Sequence, residues 1–290
     1  MPVTKAIISL AGYGTRFLPA TKAVPKEILP IVDVPIVQYL VQEIVDSGIR
    51  DIVLVTRGDN HAIEDHFAES PVLEAFLERV GKHELAERIR AVSRLANLIF
   101  VRQSSDLPYG NGSPILAAKP LLRPGEAFAY LFGDDIIKAS IPGVKQLCDV
   151  YNRFEPAGVV AAQVMPESEL ARYGVIKLKP GSTINQMEYV VEKPSAEEAP
   201  SRLVQLGRFV LSYDIVEILH GQQPGKGNEL WLADAVRTLA ARAVVIAHPI
   251  QGKWLTTGDP LRYLQTFIEF ALERPDLGAD VRAYLRALAL

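Results

Sequence analysis

Residues 6–10 (AIISL) form a short apolar run that leads straight into a glycine turn at Gly12 and Gly14, and a second such run, residues 51–56 (DIVLVT), follows after an amphipathic stretch. In that stretch, residues 35–47, the residues Ile36, Leu40, Ile44 and Val45 share one helical face, and Gly48 follows as a C-cap. Apolar runs bounded by turns and separated by helices read as buried strands of a parallel sheet. The pattern repeats: residues from about 60 to 92 predict helices, 98–102 and 127–132 predict strands, and 114–118 predict a helix between those two. The alternation then changes. Residues 158–164, 174–178, 187–191 and 203–211 are strand-like with few helices among them, which predicts a mixed extension of the sheet forming a second wall of the site. Helix resumes over 230–242, and residues 260–290 read as two helices broken near Pro275 and Gly278. The class is α/β, doubly wound in its N-terminal half.

With 290 residues, 49% hydrophobic and 22% charged, the chain can bury a sizeable core without disulfides or a structural metal. A net charge of −3 argues against a dedicated binder of nucleic-acid polymers, which would show a basic excess, but not against a nucleotide held by a few local cations. A single cysteine, Cys148, cannot form an internal disulfide and fits a reducing cytoplasm. The N-terminal run is too short for a leader, and no apolar stretch approaches the ~20 residues that span a bilayer. His61, His66, His83, His220 and His248 show no metal-ligand spacing.

The stretch from residue 10 to 33, LAGYGTRFLPATKAVPKEILPIVD, carries the most chemistry. Glycines after a strand let the backbone turn tightly and bring its N–H groups to a ligand, and Arg16 and Lys26 supply charge for a polyphosphate. It is neither a Walker A loop nor a dinucleotide fingerprint, because Phe17 stands where the third glycine would be. That disfavours a nicotinamide dehydrogenase.

The longer string closely resembles the N-terminal signature of the sugar-phosphate nucleotidyltransferases, G-x-G-T-R followed by P-x-T-K-x-x-P-K-E-x-L-P-x-x-D-x-P, and the P-K-E form resembles the branch acting on UTP and glucose 1-phosphate. The resemblance covers nearly the full chain. It implies a single nucleotidyltransferase domain over 1–290, Rossmann-like and similar to the glycosyltransferase-A type, with a C-terminal helical segment. The nucleotide half would be 1–150, the sugar-phosphate half 151–258, and the closing helices 259–290. It also implies that Leu10, Ala11, Gly12, Gly14 and Thr15 bind the nucleotide, that Arg16 faces the pyrophosphate, that Lys26 neutralises phosphate charge, and that Glu27 lies near the base. Gln103 would read the pyrimidine edge, beside Gly110. Asp134 would bind Mg²⁺, and Gly174 would face the sugar. Glu192 would bind the sugar hydroxyls, Lys193 the sugar phosphate, and Val210 would lie on a strand lining the sugar pocket. Because Glu192 and Lys193 are adjacent on a strand, a twist or bulge must let both reach one ligand.

The chain departs from the pattern in places. Ser113 replaces a histidine in the Gly110–Pro114 loop, Trp231 stands where the uridylyl branch often has Gln, and Ala233 replaces Thr. Thr256 takes the place of the aspartate expected as second metal ligand, with Asp259 three residues on as a candidate substitute. The resemblance implies attack of glucose 1-phosphate on the α-phosphorus of UTP, giving UDP-glucose and pyrophosphate, in a homodimer or homotetramer. Two alternatives stay open: a sister specificity for nucleotide or sugar, and a binding homologue that has lost turnover.

Overall fold

The computed structural model describes residues 2–58 and 61–288. Its strands are β1 (Lys5–Ser9), β2 (Pro30–Ile31), β3 (Val34–Pro35), β4 (Asp51–Thr56), β5 (Asn97–Arg102), β6 (Ala127–Phe132), β7 (Asp135–Lys138), β8 (Gly158–Val164), β9 (Gly174–Leu178), β10 (Met187–Glu192), β11 (Leu203–Ser212), β12 (Val245–Pro249) and β13 (Lys253–Thr256). The helices are α1 (Ile36–Asp46), α2 (Ala62–Phe67), α3 (Pro71–Arg79), α4 (His83–Ser93), α5 (Ser113–Ala118), α6 (Gly143–Phe154), α7 (Asp214–Gly221), α8 (Leu232–Arg242), α9 (Pro260–Glu273) and α10 (Gly278–Ala287).

One mixed sheet organises the molecule. β5, β4, β1 and β6 lie parallel, side by side, and β11 joins β6 antiparallel. β9 and β10 extend the sheet beyond β11, while β8 also pairs with β11 and carries β12. The chain lays β4 and β5 on one side of β1, then crosses back to place β6 on the other. In an open α/β sheet the crevice at such a switch point, beyond the strands' carboxyl ends, is where ligands bind. Ser9 pairs with Phe132, so the residues that follow each strand emerge together.

The unbroken apolar character of the central strands follows from cover on both faces. In β1, Ala6 and Ile8 pack into one core layer with Leu40 and Ile44 of α1 and Val144 and Leu147 of α6. Ile7 points the other way, into a layer with Leu219 of α7 and Leu232, Val236 and Leu239 of α8. Each fully buried aliphatic side chain stabilises the fold by roughly 1.5–3 kcal/mol. Cys148 is buried in the first layer as a small apolar residue.

The predicted elements are present with shifted ends. Helical residues 62–93 form α2, α3 and α4; residue 60 lies outside the described residues. α8 starts at Leu232 rather than 230 because Trp231 is extended, with φ −82° and ψ 127°. The C-terminal break falls as predicted between α9 and α10, and Asp259 caps α9 by accepting the Arg262 N–H at 3.0 Å. Residues 289 and 290 are outside the described residues. The sequence reading did not anticipate α7, β12 or the small antiparallel pair β7–β13, whose strands are only four residues each.

Candidate active site

The glycine loop leaves β1 at Leu10, whose N–H donates to Val55 O at 2.9 Å. Gly14 adopts φ 61°, a left-handed turn that a glycine tolerates, and Thr21 Oγ1 donates to its carbonyl at 2.8 Å. Short 3₁₀ turns at Thr15–Phe17, Ala20–Lys22 and Lys26–Ile28 then fold the segment back across the strand ends. Arg16 Nη1 donates to Gly258 O at 3.0 Å, tying this loop to the turn after β13. Beside it, Gly133 packs so closely that a Cβ there would stand 2.6 Å from Ser9 O. That contact lets Asp134 reach Lys26, with Nζ to Oδ2 at 2.7 Å.

Charge at this junction is strongly coupled. Burial alone would lower the Lys26 ammonium, yet Asp134 and Glu27 outweigh it and hold the group well above the ordinary lysine value. Burial likewise opposes ionisation of Asp134, but Lys26 and Arg16 keep it below the usual carboxylate range. Burial pushes Glu27 up to about 7 against the pull of Lys26. Asp135 is pushed up to about 6, first by burial and then by the charge of Asp134. The expectation that Glu27 lies near a base is corrected: its side chain is buried, with Oε1 3.9 Å from Lys26 Nζ, beneath the Lys26–Asp134 pair. It lines none of the cavities described below.

The Asp134–Asp135 turn is braced from behind. Asp135 Oδ2 accepts the Gly207 N–H at 2.8 Å, and Arg208 donates to Asp135 O at 2.6 Å and Gly207 O at 3.0 Å. Arg208 is fully buried and grips Glu43 of α1 at 2.8–3.2 Å, while Glu43 Oε1 also accepts the Val144 N–H at 3.0 Å. From the other side the Thr257 N–H donates to Asp134 O at 2.7 Å, and Thr256 Oγ1 donates to the same carbonyl at 3.2 Å. Asp259, the candidate substitute for the missing aspartate, lines the same cavity as Asp134 but is engaged elsewhere. Its carboxylate caps α9 and is held by Arg172 at 2.6 Å and Arg262 at 2.9 Å.

A cavity of about 580 Å³ opens over this junction, lined among others by Arg16, Asp134, Gly174, Glu192, Lys193 and Trp231. The strand-neighbour problem at Glu192 and Lys193 is solved by the backbone: Glu192 ends β10, Lys193 follows it with φ 44°, and both residues line the cavity. Lys193 Nζ sits 4.1 Å from the centre of the Trp231 ring. Gln205 of β11, which the motif reading missed, also lines the cavity, is 6% exposed, and keeps a buried Oε1 with no hydrogen-bond partner. Its side chain lies so close to Gly174 that a Cβ there would meet Nε2 at 2.6 Å. Val210 is corrected: it is fully buried in the core, paired with Ala129 and Val159, and β11 reaches the cavity through Gln205 and Gly207 instead.

Trp231 also forms one wall of a smaller recess of about 160 Å³, together with Ala11, Gly12, Gln103, Gly110 and Asn111. Gln103 Oε1 is buried there without a partner, an acceptor waiting for a donor. Gly110, at φ 139°, could not carry a side chain, since its Cβ would stand 2.5 Å from the Leu230 backbone. Leu10 is buried below the loop, and Thr15 lies in its first 3₁₀ turn, outside both cavities. Lys22 lines a separate recess with Tyr13, Thr21 and Arg57.

Residues 5–271 match the family described as Nucleotidyl transferase. The chain belongs to the nucleotidyl transferase family. It is 43% identical over 288 residues to a UTP–glucose-1-phosphate uridylyltransferase of Staphylococcus epidermidis, covering 99% of this chain and 98% of the relative. It is 42% identical to one of Bacillus subtilis, covering 99% and 97%. Among solved structures, a UDP-glucose pyrophosphorylase complexed with UDP-glucose aligns with TM-score 0.84 at 34% identity, over 94% of this chain and all of that one. The UTP-bound enzyme from Acinetobacter baumannii aligns with TM-score 0.87 at 32% identity, over 98% of each chain.

Proposed function

We propose that this protein transfers the uridylyl group of UTP to glucose 1-phosphate. A phosphate oxygen of the sugar phosphate attacks the α-phosphorus in line, the bond to the bridging oxygen breaks, and pyrophosphate leaves with the electron pair. The observation that carries this reading is the convergence of Arg16, Asp134 and Lys193 at one cavity, with Lys26 paired to Asp134 at 2.7 Å, next to a recess holding the unpartnered Gln103 acceptor. The relatives' names and bound nucleotides support it.

The nucleophile is already an anion, so the protein need not remove a proton; it must position phosphates and neutralise their charge. Gln103 and the backbone at Ala11 and Gly12 would receive the uracil. Lys26, held protonated by its carboxylate neighbours, would face the α-phosphate, and Arg16 the departing pyrophosphate. Glu192 would accept from sugar hydroxyls, and Lys193 would pair with the sugar phosphate. Among the described residues no cluster of three or more metal-ligating side chains occurs. A single strand-end carboxylate nevertheless fits Mg²⁺, which takes one or two carboxylates and completes its shell with phosphate oxygens and water. Asp134 would hold it, and the bound ion would supply charge stabilisation at the phosphates.

We read residues 1–150 as the nucleotide half, 151–258 as the sugar-phosphate half and 259–290 as closing helices of one domain. A cytoplasmic location is supported by the lone buried Cys148, and among the described residues no helix is long and apolar enough to cross a membrane. Self-association into a dimer or tetramer is supported by exposed Leu261, Leu264 and Tyr284 on α9 and α10; Leu290 lies outside the described residues.

Thr256 motivates a second reading, a homologue that binds nucleotide sugar without turnover. Pyrophosphate release, measured across five nucleoside triphosphates and three sugar 1-phosphates with Mg²⁺, separates the two. Turnover confined to UTP and glucose 1-phosphate is expected. Another preferred pair would mean a sister specificity. UDP-glucose binding without turnover, rescued by Thr256→Asp, would establish the second reading.

A further inference from the structure

Lys193 and Trp231 come from distant parts of the chain, one following β10 and the other preceding α8, yet the ammonium lies 4.1 Å from the indole ring centre. Trp231 is 9% exposed and forms a wall of both the large cavity and the smaller recess, so its position is set by the surrounding protein more than by solvent. Its backbone is fixed as well: Gln222 Nε2 donates to Trp231 O at 3.0 Å, and the following N–H, on Leu232, donates to Asn111 Oδ1 at 2.7 Å.

The ammonium has a competing partner. Glu192 Oε1 lies 3.9 Å from Lys193 Nζ, at the outer edge of an ion pair. Lysine has a long flexible stem, and a carboxylate this near would draw it in if nothing opposed the collapse. A closed Glu192–Lys193 pair would remove both the acceptor for sugar hydroxyls and the cation for the sugar phosphate. A desolvated aromatic face attracts an ammonium without neutralising it, so the charge stays available to an incoming phosphate.

We propose that Trp231 is a positioning residue for the sugar-phosphate site: its indole face holds Lys193 off Glu192 and poised over the cavity for a sugar monophosphate dianion. This rests on the reading of Lys193 as the sugar-phosphate cation. A shorter or amide side chain at this position would take the aromatic face away from Lys193 while leaving the Glu192 carboxylate beside it.

The test is a cycle of four proteins, wild type, Trp231→Leu, Lys193→Gln and the double variant, with Trp231→Phe as the conservative control. The KM for glucose 1-phosphate is measured at saturating UTP, and UDP-glucose affinity by calorimetry. Trp231→Leu is expected to raise the KM about tenfold, and Trp231→Phe to bring it back to within about threefold of wild type. In the Lys193→Gln background, Trp231→Leu is expected to change it by less than about twofold. Any effect of Trp231 on the base recess appears equally in both backgrounds and cancels. An equal shift in the two backgrounds would overturn the proposal, as would a Phe variant no better than the Leu variant. If wild type shows no turnover but binds UDP-glucose, the functional reading fails while the cycle on UDP-glucose affinity still decides this proposal. A wild type that binds no UDP-glucose overturns both.

Discussion

Glu27 shows how one residue's surroundings outweigh its motif. Adjacent to Lys26 in sequence, it turns into the interior, where burial pushes it up to about 7. A folded-state value above the unfolded one means the native protein binds more protons between the two, so stability is fullest below the unfolded value and is lost as pH rises through about 7. Urea melts from about pH 4.5 to about pH 7 should therefore show wild type losing stability relative to Glu27→Gln, by about 1–3 kcal/mol across the window. A flat difference would remove Glu27 as a buried acid that titrates within this window. Gln205 is the opposite case, a polar group whose buried oxygen lacks a partner at the cavity wall. Gln205→Leu is expected to keep the fold at unchanged or higher stability, since it removes an unsatisfied acceptor, and to raise the KM for the sugar phosphate about tenfold. An unchanged KM would make it a packing residue. No motif contains Gln205, and only its register opposite Gly174 brings it to the site.

Between elements, the buried Glu43–Arg208 pair joins α1 to β11 and, through Asp135 O, to the turn that carries Asp134. Arg208→Met would leave Glu43 buried without its cation. It is expected to cost about 3–5 kcal/mol in chemical denaturation, and pairing it with Glu43→Leu should recover most of that. A double variant no more stable than the single one would contradict this account. In the sequence Glu43 reads as an ordinary polar position of an amphipathic helix, and Arg208 as part of a family strand. What gives them a joint role is the register shift in β11 between Gln205 and Phe209, which turns Gly207 and Arg208 toward the β6–β7 turn. Short elements such as β7 and β13 escaped the sequence reading for the same reason: four residues carry too little pattern, and each is a strand only because the other is there.

Across the whole molecule, one sheet runs without interruption from β5 to β10, so residues 1–150 and 151–258 share β6–β11 pairing and both core layers. Calorimetry is expected to show one cooperative transition with matching calorimetric and van't Hoff enthalpies, and two separable transitions would divide the halves into independent units. The α/β class, the strand–helix alternation of the first half and the C-terminal break were readable from apolar runs and glycine turns, because these are local signals with short periods. Arg16, Lys26, Gln103, Asp134, Gly174, Glu192 and Lys193 were implied by the resemblance of their motifs to the family's, and the fold brings all of them to neighbouring cavities or to the charged junction between them. Local pattern could not say which way a side chain faces once strands bend and sheets pack. Val210 went to the core, Glu27 beneath its lysine, Asp259 to two arginines, and Trp231 under Lys193. Those outcomes depend on register, burial and charge partners from remote parts of the chain, which exist only after the sheet has closed.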